Sequence, residues 1–317
     1  MTTAYEFKDI PNFDTFVKIE PLNKGWSDDK KYYIEAADGS RLLLRIADID
    51  EYERKEDEFD MLKQAETLGI PLSTPIDFGT CNNGENVYQI LGWVDGEDLR
   101  ETLPKLSETE KYALGIKAGK LIAKIHSFPA PENTIPWSAW FWAKVTKRIE
   151  FYNNIMLRSN QAAFSDKGYI FVDYLLKKRR FLVGRPQTFN HGDVGISNLI
   201  LMPNGEIAAI DFNCYDDEHG DPWWELDSLF SWGEEPCPHF YTGFIRGYFD
   251  GEPQEGFFEV LSYYFAYSAL AAICDTSVGE QGKPEDAQRH MENILRWFDN
   301  MKNPVPTWYL KDEYGEA

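Results

Sequence analysis

The chain of 317 residues has little cysteine or histidine. Its four cysteines, Cys81, Cys214, Cys237 and Cys274, stand far apart with no Cys-x-x-Cys pair, so neither a disulfide framework nor a cysteine zinc site is suggested. Five histidines include no His-Glu-x-x-His arrangement, which argues against a zinc hydrolase. Basic residues are also scarce: 32 Lys and Arg face 53 Asp and Glu, a net charge of −21. A field of that sign opposes nucleic-acid phosphates and favours cationic small molecules, so no nucleic-acid partner is expected. No continuous apolar run is long enough to span a bilayer, and the amino terminus lacks a basic start and an apolar signal core. No membrane partner is therefore expected, and the cytoplasm is the expected location. At 43% hydrophobic and 15% aromatic, the chain is a folded one rather than a disordered one.

The residues up to about 92 read as a small β-rich lobe. Phe16-Val17-Lys18-Ile19-Glu20 and Lys31-Tyr32-Tyr33-Ile34-Glu35-Ala36 alternate as strands. Asp38-Gly39 then offers a tight turn into Arg41-Leu42-Leu43-Leu44-Arg45-Ile46. Ile49 to Leu68 is a charged amphipathic helix ending before Gly69 and Pro71, and two further strands are expected around Thr74–Phe78 and Asn86–Leu91. Past Gly92 the pattern turns helical. Ser107-Glu108-Thr109-Glu110 has the form of a capping box opening a helix to about His126. Further helices are expected over Trp140–Arg158, Lys167–Leu182, Pro222–Trp232, Phe240–Tyr248, Phe257–Cys274 and Glu285–Trp297, with short strands on either side of Pro203-Asn204-Gly205.

The most informative segment is Phe189-Asn190-His191-Gly192-Asp193-Val194-Gly195-Ile196-Ser197-Asn198, followed by Ala209-Ile210-Asp211-Phe212. It sets a carboxylate, an amide five residues on and a second carboxylate beside short apolar strands. These are the parts of phosphoryl transfer. One carboxylate accepts the proton of an attacking hydroxyl, while an amide oxygen and the other carboxylate hold Mg²⁺ against nucleotide phosphates. Asp193 is the candidate catalytic base; Asn198 and Asp211 are the candidate Mg²⁺ ligands.

This spacing resembles the kinase pattern His-x-Asp-x-x-x-x-Asn then Asp-Phe-Gly, with Gly192 and Asn213 replacing the Arg and Gly of protein kinases. His-Gly-Asp together with Ile-Asp-Phe is characteristic of the aminoglycoside phosphotransferase and choline kinase family, and the chain is identified as resembling its members. The resemblance implies an α+β, bilobal, protein-kinase-like fold. A nucleotide-binding lobe would cover residues 1–92, with a hinge near Leu91 and Trp93, and a catalytic and acceptor-binding lobe residues 93–317. It implies ATP or GTP as donor, Mg²⁺ as cofactor and a small-molecule acceptor. His191 and Asp221, of Gly220-Asp221-Pro222, would support the catalytic loop, Asp221 through His191. Glu225 stands where the family commonly has Asp. Arg45 takes the place of the phosphate-binding lysine and keeps the cation. Glu58 is its candidate ion-pair partner, with Glu51 and Glu56 nearby, and Ser27 of Gly25-Trp26-Ser27 matches the nucleotide loop. The full Gly-x-Gly-x-x-Gly of protein kinases is absent, as is an activation segment ending in Ala-Pro-Glu.

The acceptor site has two readings. Asp216, Asp217 and Glu218, with Trp223-Trp224, suit an amine-bearing acceptor through ion pairing and cation–π contact, such as an aminoglycoside in antibiotic resistance. The same residues also suit a solvated acidic loop over two buried tryptophans. A housekeeping kinase for choline, a sugar or an amino alcohol, and a nucleotide-binding pseudokinase, are the alternatives.

Overall fold

Alternation along three central strands decides how the first part of the chain folds. In a strand, successive side chains point to opposite faces. Phe16–Leu22 (β1), Lys30–Ala36 (β2), Arg41–Asp48 (β3), Pro75–Cys81 (β4) and Asn86–Gly92 (β5) form an antiparallel sheet of order β1-β2-β3-β5-β4. Ile34, Leu42, Leu44, Ile46, Tyr88 and Ile90 point to one face and bury together under Phe7 and Ile10. Burying side chains of this size contributes about 1.5–3 kcal/mol each. The other face carries Lys31, Arg45 and Gln89 in one row, paired strand to strand, and is covered by the helix Tyr52–Glu66 (α1). Phe59 of α1 stacks on Phe78, and Gln89 Nε2 donates to the Lys55 carbonyl at 2.8 Å, so both apolar and polar contacts hold the helix to the sheet.

The computed structural model describes residues 7–23, 28–132, 134–158, 162–213, 219–229, 235–278, 283–311 and 313–314. The chain divides into two compact units: Met1–Leu99 with Asn198–Glu218, and Arg100–Ser197 with His219–Ala317. The division falls past the expected boundary at 92, for a physical reason. Glu97–Asp98 (β6) pairs with Leu199–Leu201 (β8), which pairs in turn with Ile207–Ala209 (β9), and Ala209 N donates to the Pro71 carbonyl at 3.1 Å. The hairpin that ends in Asp211 therefore belongs with the first unit.

The second unit is mainly helical. It comprises Glu108–Ile125 (α3), Trp137–Arg158 (α4), Ala162–Lys178 (α5), Pro222–Glu225 (α6), Pro238–Phe249 (α7), Phe257–Val278 (α8) and Pro284–Trp297 (α9), after a short helix Leu99–Thr102 (α2) at the junction. Two small strands, Thr188–Phe189 (β7) and His219–Gly220 (β10), pair antiparallel. The capping box at Ser107 and Glu110 forms. The helix expected over Pro222–Trp232 is shorter: it runs Pro222–Glu225, continues as a 3₁₀ turn to Leu229, and residues 230–234 lie outside the described ones. Helices α3 and α7 touch backbone to backbone. A Cβ on Gly115 or Gly119 would sit 2.1 or 2.0 Å from the carbonyl oxygens of Phe240 and Phe244, and Gly243 and Gly247 are as tightly placed against α3. The expectation of no long apolar run meets one exception. Helix α8 holds a stretch, Phe257–Ser277, apolar and long enough to cross a bilayer, but most of it is buried among other helices. It is read as the core helix of this unit.

Candidate functional site

In the first unit, the turn Pro203-Asn204-Gly205 closes the β8–β9 hairpin, with Gly205 at φ +78°, the left-handed region that glycine enters without a steric penalty. Register places Leu199 opposite Ala209. Asn198 and Asp211 therefore flank the same end of the hairpin, and Ile210 N donates to the Asn198 carbonyl at 3.0 Å. Asp211 sits at φ +64°, a conformation uncommon for a residue with a Cβ but tolerated by Asp. Its side chain is 37% exposed while Phe212 beside it is buried. An amide and a carboxylate oxygen are hard donors of the kind Mg²⁺ takes, and Mg²⁺ usually needs only one or two from protein. No cluster of three or more His, Cys, Asp or Glu able to hold a metal occurs among the described residues.

The polar row of the sheet meets this hairpin. Arg45 Nη1 donates to Asp211 Oδ1 at 2.6 Å. The same guanidinium holds Asp29, Nε donating to Oδ2 at 2.9 Å and Nη2 lying 2.7 Å from that oxygen. Lys55 Nζ donates to Asp29 Oδ2 at 2.8 Å and to Glu58 Oε2 at 3.0 Å. Glu58 pairs with Lys55 and Arg54. The strand cation is thus anchored by Asp29, whereas Glu58 was the expected partner. Lys55 reaches Glu58 first, being three residues away on the same helix, and Arg54 takes the other oxygen. Burial pushes the Asp29 carboxyl up, but the charges of Arg45 and Lys55 outweigh it and hold the group below the usual carboxylate range. Burial would lower Arg45, yet Asp211, Asp29 and Glu58 together raise it above its ordinary value. Burial, aided by the nearby Arg45 charge, draws the Lys31 ammonium down.

Along the same face of the sheet the lining turns apolar toward the end of β5. Leu43 pairs with Leu91, which is buried, and Trp93 N donates to the Arg41 carbonyl at 3.0 Å. The Trp93 ring meets Tyr33 edge-on at 4.9 Å. Ser27 lies outside the described residues, as do Asp216, Asp217 and Glu218.

In the second unit, the segment after β7 is pinned by its apolar residues. Val194 and Ile196 are buried while Gly192, at φ +89°, and Asp193 are exposed. His191 is buried, and its Nδ1 accepts from Asp193 N at 3.2 Å. The group that holds this loop is Glu225. Its carboxylate accepts from His191 N at 2.9 Å and from Gly192 N, and meets His126 Nε2 at 2.7 Å. Burial pushes Glu225 up, but the His126 hydrogen bond, the charges of His126 and His191 and the backbone bond outweigh it, so its carboxyl stays below the usual range. Asp221 does not work through His191 as expected. Fully buried, it caps α6 by accepting from Trp223 N at 2.9 Å and binds Arg185 through Nε at 2.6 Å and Nη2 at 2.8 Å, with the Tyr264 hydroxyl as a further donor. Glu225, like Asp29 in the first unit, is a residue whose role the sequence did not reveal. The signal for Glu225 was its place one turn after the Asp221-Pro222 helix start.

The two tryptophans next to it already face cations of this chain. The Arg185 guanidinium lies 3.6 Å over Trp223, and Lys144 Nζ lies 5.5 Å over Trp224.

The strand order of the first unit and the helical second unit define a protein-kinase-like fold. The model of the phosphotransferase enzyme family matches residues 18–258, and the chain belongs to that family of small-molecule kinases. Among solved structures it is similar to APH(2″)-IIa in ternary complex with streptomycin and ATP, at 15% identity and a TM-score of 0.62, covering 88% of this chain and 91% of that one. It is similar to the choline kinase LicA from Streptococcus pneumoniae, at 16% identity and a TM-score of 0.58, covering 91% and 97%. A third likeness is the amicoumacin kinase hAmiN in complex with AMP-PNP, Ca²⁺ and Ami, at 13% identity and a TM-score of 0.56, covering 91% and 90%. No curated protein sequence matches.

Proposed function

We propose that this kinase transfers the γ-phosphoryl group of ATP or GTP to a hydroxyl of a small, amine-bearing acceptor in the cytoplasm. The observation that carries the reading is the hairpin end that brings Asn198 and Asp211 together, with the Arg45 guanidinium on Asp211. On this reading Arg45 grips phosphate oxygens with its forked donors. The apolar stretch from Leu43 and Leu91 to Trp93 takes the base of the nucleotide. Asn198 and Asp211 would hold Mg²⁺, which when bound neutralises phosphate charge. Asp193, exposed on a loop whose backbone Glu225 grips, orients the acceptor hydroxyl and takes its proton late, once bonding to phosphorus has acidified it. His191 supports that loop from beneath.

An amine on the acceptor is supported by the strongly acidic chain and by the run Asp216, Asp217 and Glu218. Antibiotic resistance is the physiological reading that an aminoglycoside acceptor would carry. One observation favours a second reading, a neutral hydroxyl acceptor: Arg185 and Lys144 already occupy a face of Trp223 and of Trp224, where a substrate cation would otherwise sit. A coupled nucleotide-turnover screen over aminoglycosides, choline, amino alcohols, sugars and macrolides, with Asp193→Asn as the blank, separates the two. Turnover with amine-bearing acceptors supports the first reading. Turnover confined to neutral sugars replaces it with the second. Turnover with none of them, in a protein that binds nucleotide, replaces both with a nucleotide-binding pseudokinase.

A further inference from the structure

We propose that Asp29, the residue just before β2, is the positioning residue of the phosphate-gripping cation Arg45. The proposal rests on the reading of Arg45 given above. In kinase-like folds the strand cation is expected to lean on an acid of the following helix, but here Glu58 is taken by Lys55 and Arg54. Arg45 has two carboxylates instead. Asp211, its side chain 37% exposed, is the one that would turn to a metal ion. Asp29, its side chain 4% exposed, receives both Nε and Nη2 of the guanidinium. When Asp211 is engaged elsewhere, Asp29 is what remains to fix the plane of the guanidinium and leave Nη1 free to point at phosphate. Lys55, bonded to the same Oδ2, ties Asp29 to helix α1, and Gln89 ties that turn of the helix back to β5. The orientation of one cation is thus set by a carboxylate braced from two elements.

The test measures Mg·ATP and Mg·GTP affinity by calorimetry on the full chain, in wild type, Asp29→Asn, Asp29→Glu, Glu58→Gln, Arg45→Ala and the double variant Asp29→Asn, Arg45→Ala. Asp29→Asn should weaken nucleotide binding about tenfold, the scale of one coupled charged contact. Asp29→Glu, which restores the charge, should recover part of that loss, and Glu58→Gln should cost less than Asp29→Asn. In the Arg45→Ala background, removing the Asp29 charge should cost less than about twofold, because the residue it positions is gone; a purely structural role would carry the tenfold loss over unchanged. The proposal is overturned if Asp29→Asn binds nucleotide like wild type, if its penalty persists without Arg45, if Glu58→Gln costs more, or if neither Asp29 variant folds by circular dichroism. Wild type binding neither nucleotide would instead sink the reading of the function itself, and the proposal with it.

Discussion

In the first unit Asp211 keeps its side chain 37% exposed while one oxygen holds Arg45, and everything behind it is charge against charge: Asp29, Lys55, Glu58 and Arg54 in succession. In the second unit Asp193 is exposed on a loop held through its backbone, by one buried carboxylate that takes the N–H groups of His191 and Gly192. A chain of net charge −21 has few cations to spend. It concentrates Arg45, Lys55 and Lys31 around the first site, where proposed phosphates need them, and supports the second with a buried carboxylate held by two backbone amides and His126. The two regions should therefore fail differently. Losses in the first should show in ligand affinity and respond to salt; losses in the second should show in turnover or in stability.

The sharpest break between them is Asp193→Asn. Its turnover should fall by roughly 10²–10⁴-fold, the range for losing a general base, with Mg·ATP affinity nearly intact. Steady-state kinetics with an acceptor from the screen, beside calorimetry, checks this; wild-type turnover would remove Asp193 from the reaction. Next comes Glu225→Gln, which takes a buried charge from His126 and an acceptor from the loop amides. It should cost about 3 kcal/mol in urea unfolding, the low end for stripping one partner from a buried pair. A cost below 1 kcal/mol would mean that the loop does not depend on it. Asp211→Ala should keep the fold, since Arg45 retains Asp29. It should lose most of the Mg²⁺-dependent thermal stabilisation by nucleotide, which at a hundredfold excess over Kd is worth about 2.7 kcal/mol in wild type. An undiminished shift would place the metal elsewhere.

The smallest effect refines the comparison inside the second unit. Asp227 is as buried as Glu225 two residues earlier, but one of its oxygens has no hydrogen-bond partner, and burial pushes its carboxyl up to about 7. A folded-state value raised above the unfolded one means that the native state binds more protons, so this group costs stability as pH rises from about 4 to about 7, and the penalty is full above that. Asp227→Asn should therefore melt higher than wild type at pH 8 and show a smaller gain at pH 5. Equal gains at both pH values would show that Asp227 does not titrate in that range.

Much of the architecture was legible because it rests on local patterns. The alternation Leu42, Leu44, Ile46 needs only a period of two, and the Ser107–Glu110 box is complete within four residues. Boundaries were less legible. Ile49–Glu51 is a 3₁₀ turn before α1 begins at Tyr52, and α8 runs on to Val278, because neighbouring helices bury residues whose propensity alone does not decide the end. The Gly115/Gly119 and Gly243/Gly247 pairs were present in the sequence as spacing, but only the close side-by-side packing of α3 on α7 gives them a reason.

By itself the sequence determined the family of the protein and the residues proposed for its chemistry, since Asp193, Asn198 and Asp211 lie within one short stretch whose spacing carries the resemblance. Only the tertiary structure decided which charged groups pair around those residues. Lys55 takes Glu58, Arg45 turns to Asp29, Asp221 goes to Arg185, and Glu225 takes the backbone of the His191-Gly192-Asp193 loop. The physical reason is that an ion pair is chosen by distance and burial in three dimensions. Arg45 finds its acids 16 and 166 residues away in sequence, and only packing brings them within reach.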